Sequence, residues 1–188
     1  LRQVAHRFAD RDILMGKPLT VNAAEHFYRS LAADSGFRPD RQLQWLIDTP
    51  RRLEQYAALA ETLRTPMRIA VEIDVGLHRG GVSRTEVLES MVARIRAHRW
   101  LNFSGLMGYE AHIVKAPGPT RWHFDAAMER YRDFLAVAEV TSGIGRDELV
   151  LNTGGSTTYD LYPGSGAVPN EIAAGSAILQ PADFDIAT

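Results

Sequence analysis

The sequence predicts an α/β protein built on a parallel sheet. Short apolar runs alternate with amphipathic helical stretches, and polar residues able to do chemistry gather just past the strand ends. Two architectures fit that pattern, a (β/α)8 TIM-type barrel and an open doubly wound sheet. About six βα units are legible in the 188 residues, two short of a closed barrel, which takes roughly 250 residues. A barrel then needs its first units upstream of Leu1, and residues 1–188 read as one partial barrel domain with no second domain. The ends agree with this expectation. Leu1, Val4, Ala5 and Phe8 have helical spacing without a residue to cap the helix start, and Asp183-Phe184-Asp185-Ile186-Ala187-Thr188 stops without a closing element.

The elements follow in order. Asp12-Ile13-Leu14-Met15 is a short apolar strand, ended by Gly16-Lys17-Pro18. Residues 22–34 are helical, with Ala24, Phe27, Tyr28 and Leu31 on one face. Residues 43–48 form the next strand. Thr49 then supplies an N-cap and Pro50 a first helical position for a helix to about residue 63. Residues 67–75 are the third strand, and Ser83-Arg84-Thr85-Glu86 reads as a capping box opening a helix to about residue 98. Residues 102–109 are the fourth strand. After the loop Lys115-Ala116-Pro117-Gly118-Pro119, a helix over 120–141 aligns Phe124, Met128, Tyr131, Leu135 and Ala138 in one stripe. Residues 148–152 are the fifth strand, and residues 172–179 the sixth, although Ala173-Ala174-Gly175 is weak strand material.

Bulk properties narrow the function. Apolar residues make up 45% and charged residues 23% of the chain, as in ordinary globular proteins. A net charge of -2 gives no electrostatic case for nucleic acid or an anionic membrane as partner. The absence of cysteine excludes disulfides, thiol nucleophiles and thiolate metal sites. Lysine occurs only at positions 17 and 115, so amines for covalent chemistry are scarce. No apolar run reaches the roughly 18–20 residues of a membrane span and no signal peptide opens the chain. A cytoplasmic protein acting on a small molecule is the expectation.

Two sets of residues carry chemistry. Thr153-Gly154-Gly155-Ser156-Thr157 follows the fifth strand and Ala173-Ala174-Gly175-Ser176-Ala177 lies about one barrel unit later. Glycines let amides turn toward an anion and hydroxyls add donors, and neighbouring turns of this kind at a barrel mouth are where phosphate binds. Each is also an ordinary loop taken alone, and neither a P-loop nor a GxGxxG spacing is present. The second set is His78 and Arg79 after the third strand, with Tyr109, Glu110 and His112 after the fourth. Adjacent parallel strands bring these toward one cavity, where histidine titrates near neutrality and arginine forks onto carboxylates. Asp74 either pairs with Arg79 or points into the mouth. A metal held by His78, Glu110 and His112 matches no established ligand spacing, and no metal site is assigned.

Four motifs taken together resemble a known family. They are Glu72-Ile73-Asp74-Val75-Gly76-x-x-Arg79-x-Gly81-Val82, Gly105-Leu106-Met107-Gly108-Tyr109, Thr153-Gly154-Gly155-Ser156-Thr157 and Asn170-Glu171-Ile172-Ala173-Ala174-Gly175-Ser176. In this order they resemble the D-threonine aldolase and D-serine dehydratase group of pyridoxal-phosphate enzymes with the alanine-racemase fold. The resemblance implies a (β/α)8 barrel holding pyridoxal 5'-phosphate and a β-domain elsewhere in the protein. It implies cofactor-binding roles for Gly154, Gly155, Ser156, Thr157, Gly175 and Ser176, and catalytic roles for Arg79, Tyr109 and His112. The implied activity is a lyase acting on D-β-hydroxy amino acids, by aldol cleavage or dehydration, with an amino-acid racemase or a non-catalytic cofactor-binding protein as alternatives. A sugar-phosphate barrel enzyme would use the same phosphate turns. The lysine that anchors the cofactor in this family ends the first barrel strand. Neither Lys17 nor Lys115 stands there, so the resemblance places the anchor upstream and implies that this chain alone is inactive. A divalent metal held by parts outside this chain, and a homodimer, are compatible with the resemblance.

Overall fold

The computed structural model describes residues 1–32, 35–163 and 168–179. Among these residues six parallel strands make one sheet: β1 (Ile13–Leu14), β2 (Leu43–Ile47), β3 (Met67–Ile73), β4 (Leu101–Gly108), β5 (Val150–Thr153) and β6 (Glu171–Ile172). Their spatial order is β1-β2-β3-β4-β5-β6, the order of the chain, with every neighbouring pair parallel. A doubly wound sheet reverses its order at a switch point. None occurs here, so the sheet is a barrel segment and every described strand end points the same way.

Among the described residues six α-helices accompany it: α1 (Arg2–Arg7), α2 (Val21–Ser30), α3 (Pro39–Gln42), α4 (Pro50–Leu63), α5 (Thr85–Arg96) and α6 (Thr120–Ser142). Helix α2 packs on α4, α4 on α5 and α5 on α6, forming the outer layer. Alternation along the strands separates two faces. Trp45, Ile47, Ile69, Val71, Ile73 and Leu106 join the helices in the main core. Leu46, Ala70 and Met107 form a separate small cluster on the inner face, beside the buried polar residues Gln44, Glu72 and Asn152. Leu88, Met91, Val92 and Ile95 give α5 one wholly buried stripe, each such side chain contributing about 1.5–3 kcal/mol.

Local chemistry explains where the elements begin. Thr49 caps α4, its hydroxyl accepting from the Arg52 amide at 3.2 Å, with Pro50 at the first helical position. Gly105 sits where the β3–β4 register shifts. Its φ is +150°, and a Cβ there would lie 1.9 Å from the Val150 carbonyl oxygen, so only glycine lets β5 approach.

Several expectations need correction. The expected capping box does not form. Arg84, in extended conformation, is the N-cap of α5, with no side-chain capping bond. The Val82 amide is instead bonded to the Glu72 carbonyl, and the Asp74 amide to the Val82 carbonyl, so the chain runs beside β3 up to the helix. The sixth strand covers only Glu171–Ile172, and Ser176–Ile178 is a 3-10 turn. Ala173, Ala174 and Gly175 lack the branched side chains that hold a strand. Between β5 and β6 the described residues contain only the 3-10 turn Tyr159–Leu161, not a crossover α-helix. Residues 146–148 form another such turn, so β5 starts at Val150. The α3 turn, closed by Gln42 Oε1 accepting from the Arg38 amide at 2.7 Å, was not expected. Helix α2 stops at Ser30, short of the expected end at residue 34, because Leu31 is already extended (φ -71°, ψ 122°); residues 33 and 34 and the end of the chain lie outside the described residues.

Candidate active site

Because all strands are parallel, the loops after β3, β4, β5 and β6 share one end of the sheet. The β3 loop begins with an aspartate turn. Asp74 Oδ1 accepts from the amides of Gly76 and His78, each at 3.0 Å, while Oδ2 lies 2.6 Å from His78 Nδ1. Burial pushes the Asp74 carboxyl up, but the two amides and the imidazole outweigh it and hold it below the ordinary value. His78 is thereby committed to Asp74, at a left-handed φ of 55° and with its side chain largely exposed. Arg79 turns back instead. Its Nη2 lies 3.5 Å from Glu72 Oε1, and its guanidinium sits 4.3 Å from the centre of the Tyr109 ring. Burial raises the Glu72 carboxyl above its usual range despite that arginine.

The β4 loop divides its polar residues between two sides. Glu110 is completely buried. Its Oε2 accepts from the Thr153 hydroxyl and the Gly154 amide, both at 3.1 Å, and its Oε1 from the Thr158 hydroxyl at 2.6 Å. It clamps the β5 loop from beneath. His112 faces the other way, half-buried. A Cβ on Gly76 would come within 3.0 Å of its Nε2, and its Nδ1 is buried with no hydrogen-bond partner. Burial lowers the His112 pKa, with the Glu110 charge opposing and the histidines at 123 and 78 adding to the effect, so the neutral ring is favoured.

The two glycine-hydroxyl turns converge: Ser156 Oγ donates to Ser176 Oγ at 3.1 Å. The Gly154 amide is committed to Glu110, and the Gly155 amide donates to Thr158 Oγ1 at 2.9 Å. Among the described residues, the amides of Ser156, Thr157, Gly175 and Ser176 have no acceptor. They are available to an anion. Gly155 lies flat against Tyr109, where a Cβ would meet the ring at 2.9 Å.

An open cavity of about 700 Å³ joins these parts. Of the residues singled out in the sequence, Tyr109, His112, Gly155, Ser156, Thr157, Gly175 and Ser176 line it. Gly154 and Arg79 do not. Gly154 is packed under Ile172, and Arg79 supports Tyr109 from behind. His78, Glu110 and His112 point in different directions, and among the described residues no group of three acidic, histidine or cysteine side chains is arranged to hold a metal. Lys17 does not line the cavity, whereas Lys115, which sequence reasoning had set aside as a loop residue, does. The signal for it was its spacing: three residues after His112, it belongs to the same turn.

The comparisons agree with this geometry. A family model for the alanine racemase N-terminal domain matches residues 24–178. The 3-hydroxy-D-aspartate aldolase of Paracoccus denitrificans (strain Pd 1222) is 25% identical over 140 residues, covering 73% of this chain and 35% of that protein. The crystal structure of D-threonine aldolase from Filomicrobium marinum superposes with a TM-score of 0.80 at 19% identity, over 100% of this chain and 48% of that one. D-threo-3-hydroxyaspartate dehydratase from Delftia sp. HT23 follows with a TM-score of 0.65 at 18% identity, over 95% of this chain and 46% of that one. The chain thus spans about a third of the curated relative and about half of each solved one. With its barrel order and its matched motifs, the chain belongs to the alanine racemase N-terminal domain family, the fold type III group of pyridoxal-phosphate enzymes.

Proposed function

We propose that the protein carrying this chain is a pyridoxal-phosphate-dependent lyase acting on D-3-hydroxy amino acids. One observation carries the reading: four amides without acceptors and two hydroxyls meet on one wall of a cavity whose other wall presents His112 and Tyr109. The donor set fits a phosphate. The amides of Ser156, Thr157, Gly175 and Ser176 would hold the cofactor's phosphate, with the hydroxyls of Ser156 and Ser176 as further donors. When bound, the cofactor supplies a conjugated ring that stabilises negative charge at the substrate α carbon.

This chain's own residues then orient the substrate and move a proton. His112, kept neutral by burial, accepts the proton of the substrate's 3-hydroxyl, which drives Cα–Cβ cleavage. Tyr109, packed against Gly155 and the Arg79 guanidinium, forms the floor against which the substrate rests. Dehydration instead of cleavage requires loss of the Cα proton and departure of the 3-hydroxyl.

A racemase is the second reading, supported by the family itself. It needs a proton donor and an acceptor on opposite faces of the substrate. The titratable residues lining the described cavity, Tyr109, His112 and Lys115, all come from one loop, so a racemase's second proton carrier would have to come from outside the described residues. The test is incubation of the full-length protein and cofactor with D-threonine and D-serine. Glycine with acetaldehyde, or pyruvate, is expected; exchange of the Cα proton with racemisation and no fragment or pyruvate would replace the lyase by the racemase.

A further inference from the structure

Thr158 lies outside the cavity lining yet holds the turn that forms one of its walls. The residue is completely buried. Its Oγ1 accepts from the Gly155 amide at 2.9 Å and donates to Glu110 Oε1 at 2.6 Å. A hydroxyl can accept and donate at one atom, whereas a carboxylate only accepts. The Gly154 amide goes directly to Glu110 Oε2 at 3.1 Å. The Gly155 carbonyl accepts from the Thr158 and Tyr159 amides, both at 3.1 Å, which closes the turn. Thr153 extends the network on either side. Its hydroxyl donates to Glu110 and lies 3.2 Å from the Tyr162 hydroxyl, and its carbonyl accepts from the Ala173 amide at 2.9 Å. The β6 turn is thereby fixed to the same frame.

These bonds divide the amides of the β5 turn into two pairs. Gly154 and Gly155 are bound inward, to buried oxygens. Ser156 and Thr157 have no acceptor among the described residues and lie on the cavity wall with Gly175 and Ser176. Without the inward bonds, successive amides of a glycine-rich turn could all swing toward one anion. We propose that Thr158 is the positioning residue of the phosphate site: its hydroxyl relays between the Gly155 amide and Glu110, so that an anion is gripped from Ser156 onward and not from the start of the turn. Thr158 itself touches no ligand. The inference rests on the cofactor part of the proposed function and is independent of which bond the enzyme breaks.

The experiment reads binding, not turnover. Affinities for pyridoxal phosphate and for pyridoxal are measured on full-length protein carrying Thr158→Val, which keeps the side chain's shape without the hydroxyl, or Thr158→Ser, which keeps the hydroxyl. Thr158→Val is expected to weaken binding of the phosphorylated compound by about tenfold and to leave pyridoxal binding unchanged, and Thr158→Ser to retain the parent affinities. Equal losses for both compounds would overturn the inference, because they would mean that the hydroxyl only stabilises the fold. A second measurement needs no variant and decides the matter if Thr158→Val does not fold. In amide NMR spectra of the parent protein, pyridoxal phosphate but not pyridoxal should shift Ser156, Thr157, Gly175 and Ser176, with the Gly154 and Gly155 amides protected from exchange before any ligand is added. Phosphate-dependent shifts largest at Gly154 and Gly155 would overturn the inference. A parent protein that binds pyridoxal as tightly as its phosphate would remove the cofactor reading as well, whereas a parent preference left intact by Thr158→Val removes this inference alone.

Discussion

Glu110 shows how one side chain sets the shape of a loop on another strand. A wholly buried carboxylate is stable here because hydroxyl and amide donors of the β5 loop take the place of water around it. Glu110→Ala removes the acceptor for two hydroxyls and one amide, and is expected to cost about 3 kcal/mol or more in a urea unfolding titration; a loss within 0.5 kcal/mol, as for ordinary surface changes, would mean that the clamp contributes nothing. His112 gives a prediction in pH. Burial disfavours its imidazolium, so its folded pKa lies under the ordinary 6.5. The base form therefore persists as the medium is acidified, and the acid limb of kcat/KM should fall below that value. The ring's NMR titration checks this, and a midpoint above 6.5 contradicts it. At this scale sequence reading found most of the cavity wall: Tyr109, His112 and the two hydroxyl turns are short-range patterns following strands. It missed the division of labour inside Tyr109-Glu110-Ala111-His112, because which side of a turn each residue faces depends on the loop packed beneath it.

At the scale of elements, legibility followed locality. Thr49-Pro50 marked the start of α4 because the cap bond spans three residues. Ser83 and Glu86 had the right spacing for a cap, yet the ladder between residues 72–74 and 82 took precedence, and Ser83 offers its carbonyl to Arg130. The brevity of β6 was likewise invisible, since its length depends on pairing with β5 and not on its own composition. Gly105 is the element-scale test. A methyl group there would meet the Val150 backbone, so Gly105→Ala should separate β5 from β4 and lower the thermal midpoint by several degrees, about 4 °C or more for a loss above 1–2 kcal/mol. An unchanged midpoint would show that the strands are not in this register.

For the whole molecule, the order of strands was decisive. Alternating β and α alone fitted both a barrel and a doubly wound sheet, the unit count and the resemblance pointed to the barrel, and periodicity carries no information about which side each crossover takes. The unreversed order β1 to β6 resolves the choice. It also explains why residues far apart in sequence meet: four successive strand ends deliver Leu77, Tyr109 and His112, Ser156, and Ser176 to one cavity. The claim at the centre is that the β5 and β6 turns form a single phosphate site at this mouth. Its most direct test compares pyridoxal phosphate with pyridoxal, which lacks the phosphate, in binding to full-length protein carrying both Ser156→Ala and Ser176→Ala. Affinity for the phosphorylated compound should fall by about tenfold or more while that for pyridoxal stays as in the parent protein. Equal affinities of variant and parent for both compounds would place the phosphate elsewhere and contradict the account.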